Sequence, residues 1–163
     1  MTSLISPTLN DAINAQIGRE FGASMQYLQI ASYFDGLALD RAAKLFFDQA
    51  EEEKEHAMKL LKYVLEAGGD VRIPPIDAPK VTFATAEEAV GLALEWEQEV
   101  TRQIYNLVEI TLSERDHIGR QFLDWFVAEQ LEEVSKMDKL LRVVKSAGER
   151  NLYMLEAYLS HMD

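Results

Sequence analysis

The chain has 163 residues, a mass of 18.5 kDa and a formal net charge of −12. That length buries a real core without covalent staples, and the lack of cysteine rules out disulfides and thiolate metal sites, so any bound metal must meet oxygen and nitrogen donors. The acidic balance, with no local basic patch to offset it, argues against nucleic acid or an anionic membrane as the main partner.

No apolar run approaches membrane length, and the N-terminus lacks the basic segment, apolar run and small-residue cleavage site of a secretory signal, so the expected location is cytoplasmic. No repeat or low-complexity tract marks a boundary. Residues 1–163 are expected to form a single domain, with a helical bundle over about 6–146 and a C-terminal helix over about 149–161.

Ser6-Pro7 reads as an N-cap with proline in the first helical turn, and Asn10 to about Phe34 then runs without proline. Alternating steps of three and four, the spacing of a bundle seam, give Ile13, Ile17, Glu20, Ser24, Tyr27, Ala31 and Phe34. One acid interrupts the apolar line. Gly18 and Gly22 flank it; they either weaken the helix or let a neighbouring backbone approach closely.

Asp40 is the expected cap of a second helix that runs to about Ala67 and stops at Gly68-Gly69. Its seam is Phe46, Gln49, Glu53, His56, Leu60, Tyr63 and Ala67. From Asp70 to about Thr85 three prolines (Pro74, Pro75, Pro79) forbid helix. Extended at about 3.3 Å per residue, that stretch spans a helix roughly 40 Å long, so the second and third helices can run parallel, joined by one long crossover.

Thr85 and Glu88 form a capping box for the third helix, with the seam Val90, Leu94, Glu97, Thr101, Ile104, Val108 and Thr111. A break near Asp116 and Gly119 precedes a fourth, with the seam Phe122, Phe126, Gln130, Glu133, Met137, Leu140 and Val144. Gly148 ends it. Leu152, Leu155 and Leu159 predict a short fifth helix. The fold class expected is therefore all-α, a four-helix bundle with one long crossover and a short C-terminal helix.

The seams carry the chemistry. Glu53 and His56 are three residues apart on one helical face, where a carboxylate and an imidazole converge as metal ligands. An isolated Glu-x-x-His is common on acidic helices and by itself describes a solvated face. Here, however, all four long helices place an acid (Glu20, Glu53, Glu97, Glu133) on the line that should be core. Burying one unpaired carboxylate costs several kcal/mol, and no lysine or arginine stands on any seam, since Arg19 and Lys54 lie one residue off it.

Two divalent cations balance four carboxylates, whereas one leaves two buried charges, so the residue types favour a dinuclear site, with His56 and Gln130 as neutral ligands. Oxygen donors with one imidazole and no sulfur suit iron or manganese. Two adjacent ferrous ions make electron transfer to oxygen possible. Tyr27, two turns beyond Glu20, either bonds a ligand or intermediate there or serves as an ordinary seam aromatic.

The segments Arg19-Glu20-Phe21 through Tyr27, Glu52-Glu53-Lys54-Glu55-His56, Glu95-Trp96-Glu97-Gln98 and Trp125-Phe126-Val127-Ala128-Glu129-Gln130-Leu131-Glu132-Glu133 together resemble bacterial non-haem ferritin along essentially the whole chain. The resemblance implies that Glu20, Glu53 and His56 hold a first iron, that Glu53 bridges to a second completed by Glu97 and Glu133, and that Gln130 sits beside the pair. It implies two non-haem Fe ions per subunit, oxidation of Fe(II) by dioxygen or hydrogen peroxide, and storage of ferric mineral inside a hollow homo-oligomer of twenty-four subunits. Glu52, Glu129 and Glu132 resemble the acids of a third iron position, and equally describe an acidic surface.

Two departures from related di-iron proteins are informative. Bacterioferritins and rubrerythrins carry a second Glu-x-x-His where this chain has Gln130-Leu131-Glu132-Glu133, which fits a site through which iron passes. Bacterioferritins also place a haem-ligating methionine after the bridging glutamate, where this chain has Lys54, so no haem is expected. The alternatives are a di-iron oxidase or peroxidase of the same fold without storage, which would be a monomer or dimer, and a metal-free helical scaffold, which would not speed Fe(II) oxidation. His117 and His161 lie off the seams and read as surface or interface residues.

Overall fold

A computed structural model describes residues 2–162. The Ser6 hydroxyl accepts the Leu9 N–H at 3.0 Å and Pro7 takes the first helical position, so α1 (Pro7–Gly36) starts where its local chemistry directs. α2 (Asp40–Glu66) follows after a short turn; Gly68, at φ 78°, takes the left-handed conformation just past its end. α3 (Ala86–Glu114) is capped by the Thr85 hydroxyl, which accepts the Glu88 N–H at 3.0 Å. The Glu88 carboxylate reaches back to accept the Ala84 N–H at 2.7 Å and pairs with Lys80. Arg115, left-handed at φ 56°, separates α3 from α4 (His117–Ala147), whose cap Asp116 accepts the Gly119 N–H at 2.8 Å. α5 (Tyr153–Ser160) completes an all-α chain; no strand occurs among the described residues.

The second helix corrects one expectation. Asp40 is not its cap but its first helical residue, and the capping position falls on Leu39, whose side chain cannot accept. Glu156 of α5 does the work instead: its carboxylate accepts the Arg41 N–H at 3.0 and 3.1 Å and the Ala42 N–H at 3.3 Å. Likewise Glu149, between α4 and α5, accepts the Ala86 and Glu87 N–H groups of α3 at 3.1 and 3.2 Å. Two carboxylates of the C-terminal segment therefore sit at two helix N-termini, where anions are favoured.

The apolar core is split in two. One cluster joins the C-terminal half of α1 (Tyr27, Ile30, Phe34) to the N-terminal parts of α2 (Ala42, Phe46) and α3 (Ala89, Val90), the C-terminal half of α4 (Met137, Val144) and α5 (Leu155, Leu159). The other joins the opposite ends: Leu9 and Ile13 of α1, Leu60 and Val64 of α2, Ile104 of α3 and Leu123 of α4. These memberships fix the directions. α1 and α4 run one way, α2 and α3 the other, so the parallel pair α2 and α3 is joined by the long crossover as the proline-rich stretch predicts. Among the described residues no helix is long and apolar enough to cross a membrane.

The crossover lies along a single stripe of α1, at every fourth residue. Asn10 and Asn14 side chains exchange hydrogen bonds with the backbone of Asp70 and Arg72, at 2.6 to 3.1 Å. The Gln26 amide pairs with both backbone groups of Lys80 at 2.9 Å. Between them stand Gly18 and Gly22; a Cβ on Gly18 would come within 2.6 Å of the Pro74 ring, and one on Gly22 would meet Ile76 at 3.6 Å. Close approach is thus the reason for Gly18. The amides replace the backbone partners that a non-helical segment otherwise lacks.

Candidate metal centre

Between the two apolar clusters lies one polar layer. Glu20 from α1, Glu53 and His56 from α2, Glu97 from α3, and Gln130 and Glu133 from α4 are all buried there, each carboxylate residue with 1% of its surface exposed. Every acid singled out from the seams is brought inside. Two overlapping groups form, Glu20 with Glu53 and His56, and Glu53 with Glu97 and Glu133; within each, ligand atoms lie inside 4.8 Å of one another. Glu53 is common to both.

Amides and hydroxyls hold these carboxylates. The Gln16 amide donates to Glu20 Oε1 at 3.1 Å, and the Gln49 amide donates to Glu53 Oε1 at 3.1 Å and also to Glu133 Oε2. The Tyr27 hydroxyl donates to Glu97 Oε1. Gln130 directs its amide nitrogen at Glu97, 3.2 Å from both its backbone oxygen and its Oε2, and at Thr101 Oγ1. His56 Nδ1 lies 3.3 Å from Glu53 Oε2, and its ring is flanked by Trp125 and Phe126. Glu20 Oε2, fully buried, has no hydrogen-bond partner; the group beside it is the Glu53 carboxylate, an acceptor like itself.

The electrostatics follow from that crowding. Burial first, then Glu53, pushes the Glu20 carboxyl well above the usual carboxylate range, and burial with Glu97 does the same to Glu53. Burial raises Glu97 too, against the opposing bonds from Tyr27 and Gln130. Glu133 is pushed up to about 7 by burial, Lys136 opposing. Tyr27 is raised well above its ordinary value by burial and by Glu97. A set of carboxyls that resists ionisation together is one that protons or cations must neutralise.

Three side chains of this layer are absent from the sequence-based ligand set. Gln16 and Gln49 each stand one turn before a seam acid, at Glu20 and Glu53, a repeated spacing that was open to notice. Lys136 corrects the expectation that the bundle offers the acids no cation: from one residue off the α4 seam its ammonium reaches Gln49 Oε1 at 2.9 Å, Glu133 Oε1 at 3.5 Å and Glu52 Oε2 at 3.6 Å. Glu52, Glu129 and Glu132 line a cleft of about 390 Å³ that reaches His56 and Glu133 from the outside. Lys54 is exposed and lies 3.7 Å from Glu51.

The family profile of the ferritin-like domain matches residues 10–147, which hold almost all of the four long helices. Ferritin BfrB of Mycolicibacterium smegmatis is 45% identical over 148 residues, covering 91% of this chain and 81% of the relative. The bacterial non-heme ferritin of Staphylococcus aureus is 34% identical over 158 residues, covering 96% and 95%. Among solved structures, an open pore ferritin from the archaeon Archaeoglobus fulgidus superposes with a TM-score of 0.92 at 34% identity, covering 98% of both chains. A bundle wrapped around a shared buried glutamate, and likeness along nearly the whole length, lead to one assignment: this chain belongs to the ferritin family.

Proposed function

We propose that this protein stores iron and oxidises it on the way in, taking two Fe(II) ions per subunit as substrate between the four long helices. Membership of the ferritin family supports iron storage as the broad role. The observation that carries the finer reading is Glu53, buried at the waist of the bundle and common to two ligand groups, beside a Glu20 oxygen that nothing in the protein satisfies. Two ferrous ions, +4 in sum, match the four carboxylates at −4. In this reading Glu20, Glu53 and His56 take the first ion and Glu53, Glu97 and Glu133 the second.

Each Fe(II) gives up one electron. Two electrons with two protons convert dioxygen to hydrogen peroxide, or hydrogen peroxide to two waters. The chain's own residues supply position and charge: Gln16 and Gln49 aim the carboxylates, Gln130 orients Glu97, and Tyr27 stands at the reacting pair with its hydroxyl on Glu97. The donors are all oxygen or nitrogen, and the centre is read as non-haem. The ferric product is stored as mineral in a hollow shell of identical subunits, for which the twenty-four-fold assembly is the expectation.

Aerobic addition of Fe(II), followed by the rise of ferric absorbance, tests the reading. Glu53→Ala removes the shared ligand and should slow the initial rate by about tenfold or more while leaving the assembled particle unchanged on size-exclusion chromatography. An unchanged rate would overturn the ligand assignment. His56→Ala should weaken the first position more than the second, read by iron titration.

A further inference from the structure

The two halves of the centre are furnished unequally. On the Glu20 side an oxygen is without a partner, and His56 faces Glu53. On the Glu133 side both oxygens are engaged, Oε2 by the Gln49 amide and Oε1 by the Lys136 ammonium at 3.5 Å. That ammonium is anchored further by Gln49 Oε1 and by Glu52, and its side chain is 28% exposed, so it is partly withdrawn into the wall of the cleft that leads to Glu133. It is the one cation in contact with the four central acids among the described residues.

We infer that the Lys136 ammonium is a built-in competitor for the second half of the centre, resting on Glu133 until a divalent cation takes that carboxylate and returning when the ion leaves. The inference rests on the two-ion reading above. A lysine carries a single compact charge on a flexible four-carbon stem, so it can swing aside without disturbing the helix. At equal distance a divalent ion is attracted to the same carboxylate twice as strongly, so the ion displaces the ammonium. It nevertheless binds more weakly than it would to an unengaged Glu133, because the contact it replaces must be broken. Lys136 keeps its charge whether it rests on Glu133 or swings aside. The second position is therefore held more loosely than the first, which favours handing its ion onward.

Lys59 supplies an internal control. It lines the same cleft with the same charge, but its ammonium sits over the Trp125 ring at 3.4 Å and not on Glu133. Calorimetric titration of the assembled, metal-freed protein with Zn²⁺, a redox-inert ion that accepts oxygen and nitrogen donors, resolves the stepwise affinities. Wild type should bind two ions per subunit at this centre unequally, and Glu133→Ala should abolish the weaker step. Lys136→Met should tighten that step by about tenfold and leave the tighter one in place, while Lys136→Arg should preserve the gap. Lys59→Met should move neither.

A weaker step that Lys136→Met leaves unmoved, or that Lys59→Met moves equally, overturns the inference while the two-ion reading stands. A wild-type protein that takes no second ion overturns both. Should Lys136→Met fail to assemble, Lys136→Gln removes the charge while keeping a polar partner for Gln49, and the same shift is expected of it.

Discussion

Glu133 couples the centre to pH. Its carboxyl titrates near 7 in the folded chain against 4.5 ordinarily, because burial outweighs the help from Lys136. A carboxyl raised in this way binds its proton more tightly folded than unfolded, so its contribution to stability is complete below about pH 4.5 and is lost as pH rises through about 7. Glu20, Glu53 and Glu97 are shifted in the same direction. The metal-free protein should therefore lose stability between about pH 4.5 and 8, by roughly 3 kcal/mol from Glu133. Thermal melts of Glu133→Gln, which cannot ionise there, should fall less steeply over that range. An identical slope in wild type and variant would contradict the shift.

At the same scale, legibility depended on where a side chain reaches compared with where its Cα points. The four acids and His56 stood out because the seam spacing put charged residues on core positions, and burial of all five follows that pattern. Lys136 is not legible in the seam pattern because its backbone position is off the seam while its long stem carries the ammonium back to Glu133. Gln130 lies on the seam and is buried as expected, yet its amide serves Glu97. Only the packed helices reveal that orientation.

At the scale of elements, helix ends were legible where the cap is local and not where it is remote. Ser6 and Thr85 act on residues three further along. Glu156 caps α2 from 115 residues away and Glu149 caps α3 from 63 residues away, and no local pattern announces a partner so distant. The two glycines of α1 separate in the same way. Gly18→Ala forces a methyl group into the Pro74 ring, which cannot swing aside as a flexible side chain would, and should cost about 1–3 kcal/mol. Gly22→Ala meets only ordinary contact with Ile76 and Trp96, and the gain in helix propensity, up to about 1 kcal/mol, should leave it neutral or stabilising. Denaturant midpoints of the two variants check both signs.

For the whole molecule, the outer surface points to assembly. Leu28 of α1 and Ile73, Ile76 and Val81 of the crossover leave large apolar side chains exposed, surface that a second subunit would cover. Size-exclusion chromatography with light scattering should find a particle many times 18.5 kDa. A stable monomer or dimer would remove storage from the proposal and leave a soluble oxidase. Val81→Glu or Ile73→Glu should shift the population toward smaller species while α1–α4 remain helical by circular dichroism.

Because apolar clusters lie above and below the glutamate layer, the pillars are held at both ends by contacts that need no guest. If the chamber takes iron as proposed, iron is a passenger and not a keystone: chelation should empty the chamber without toppling its walls, and repeated filling and draining need not wear the framework.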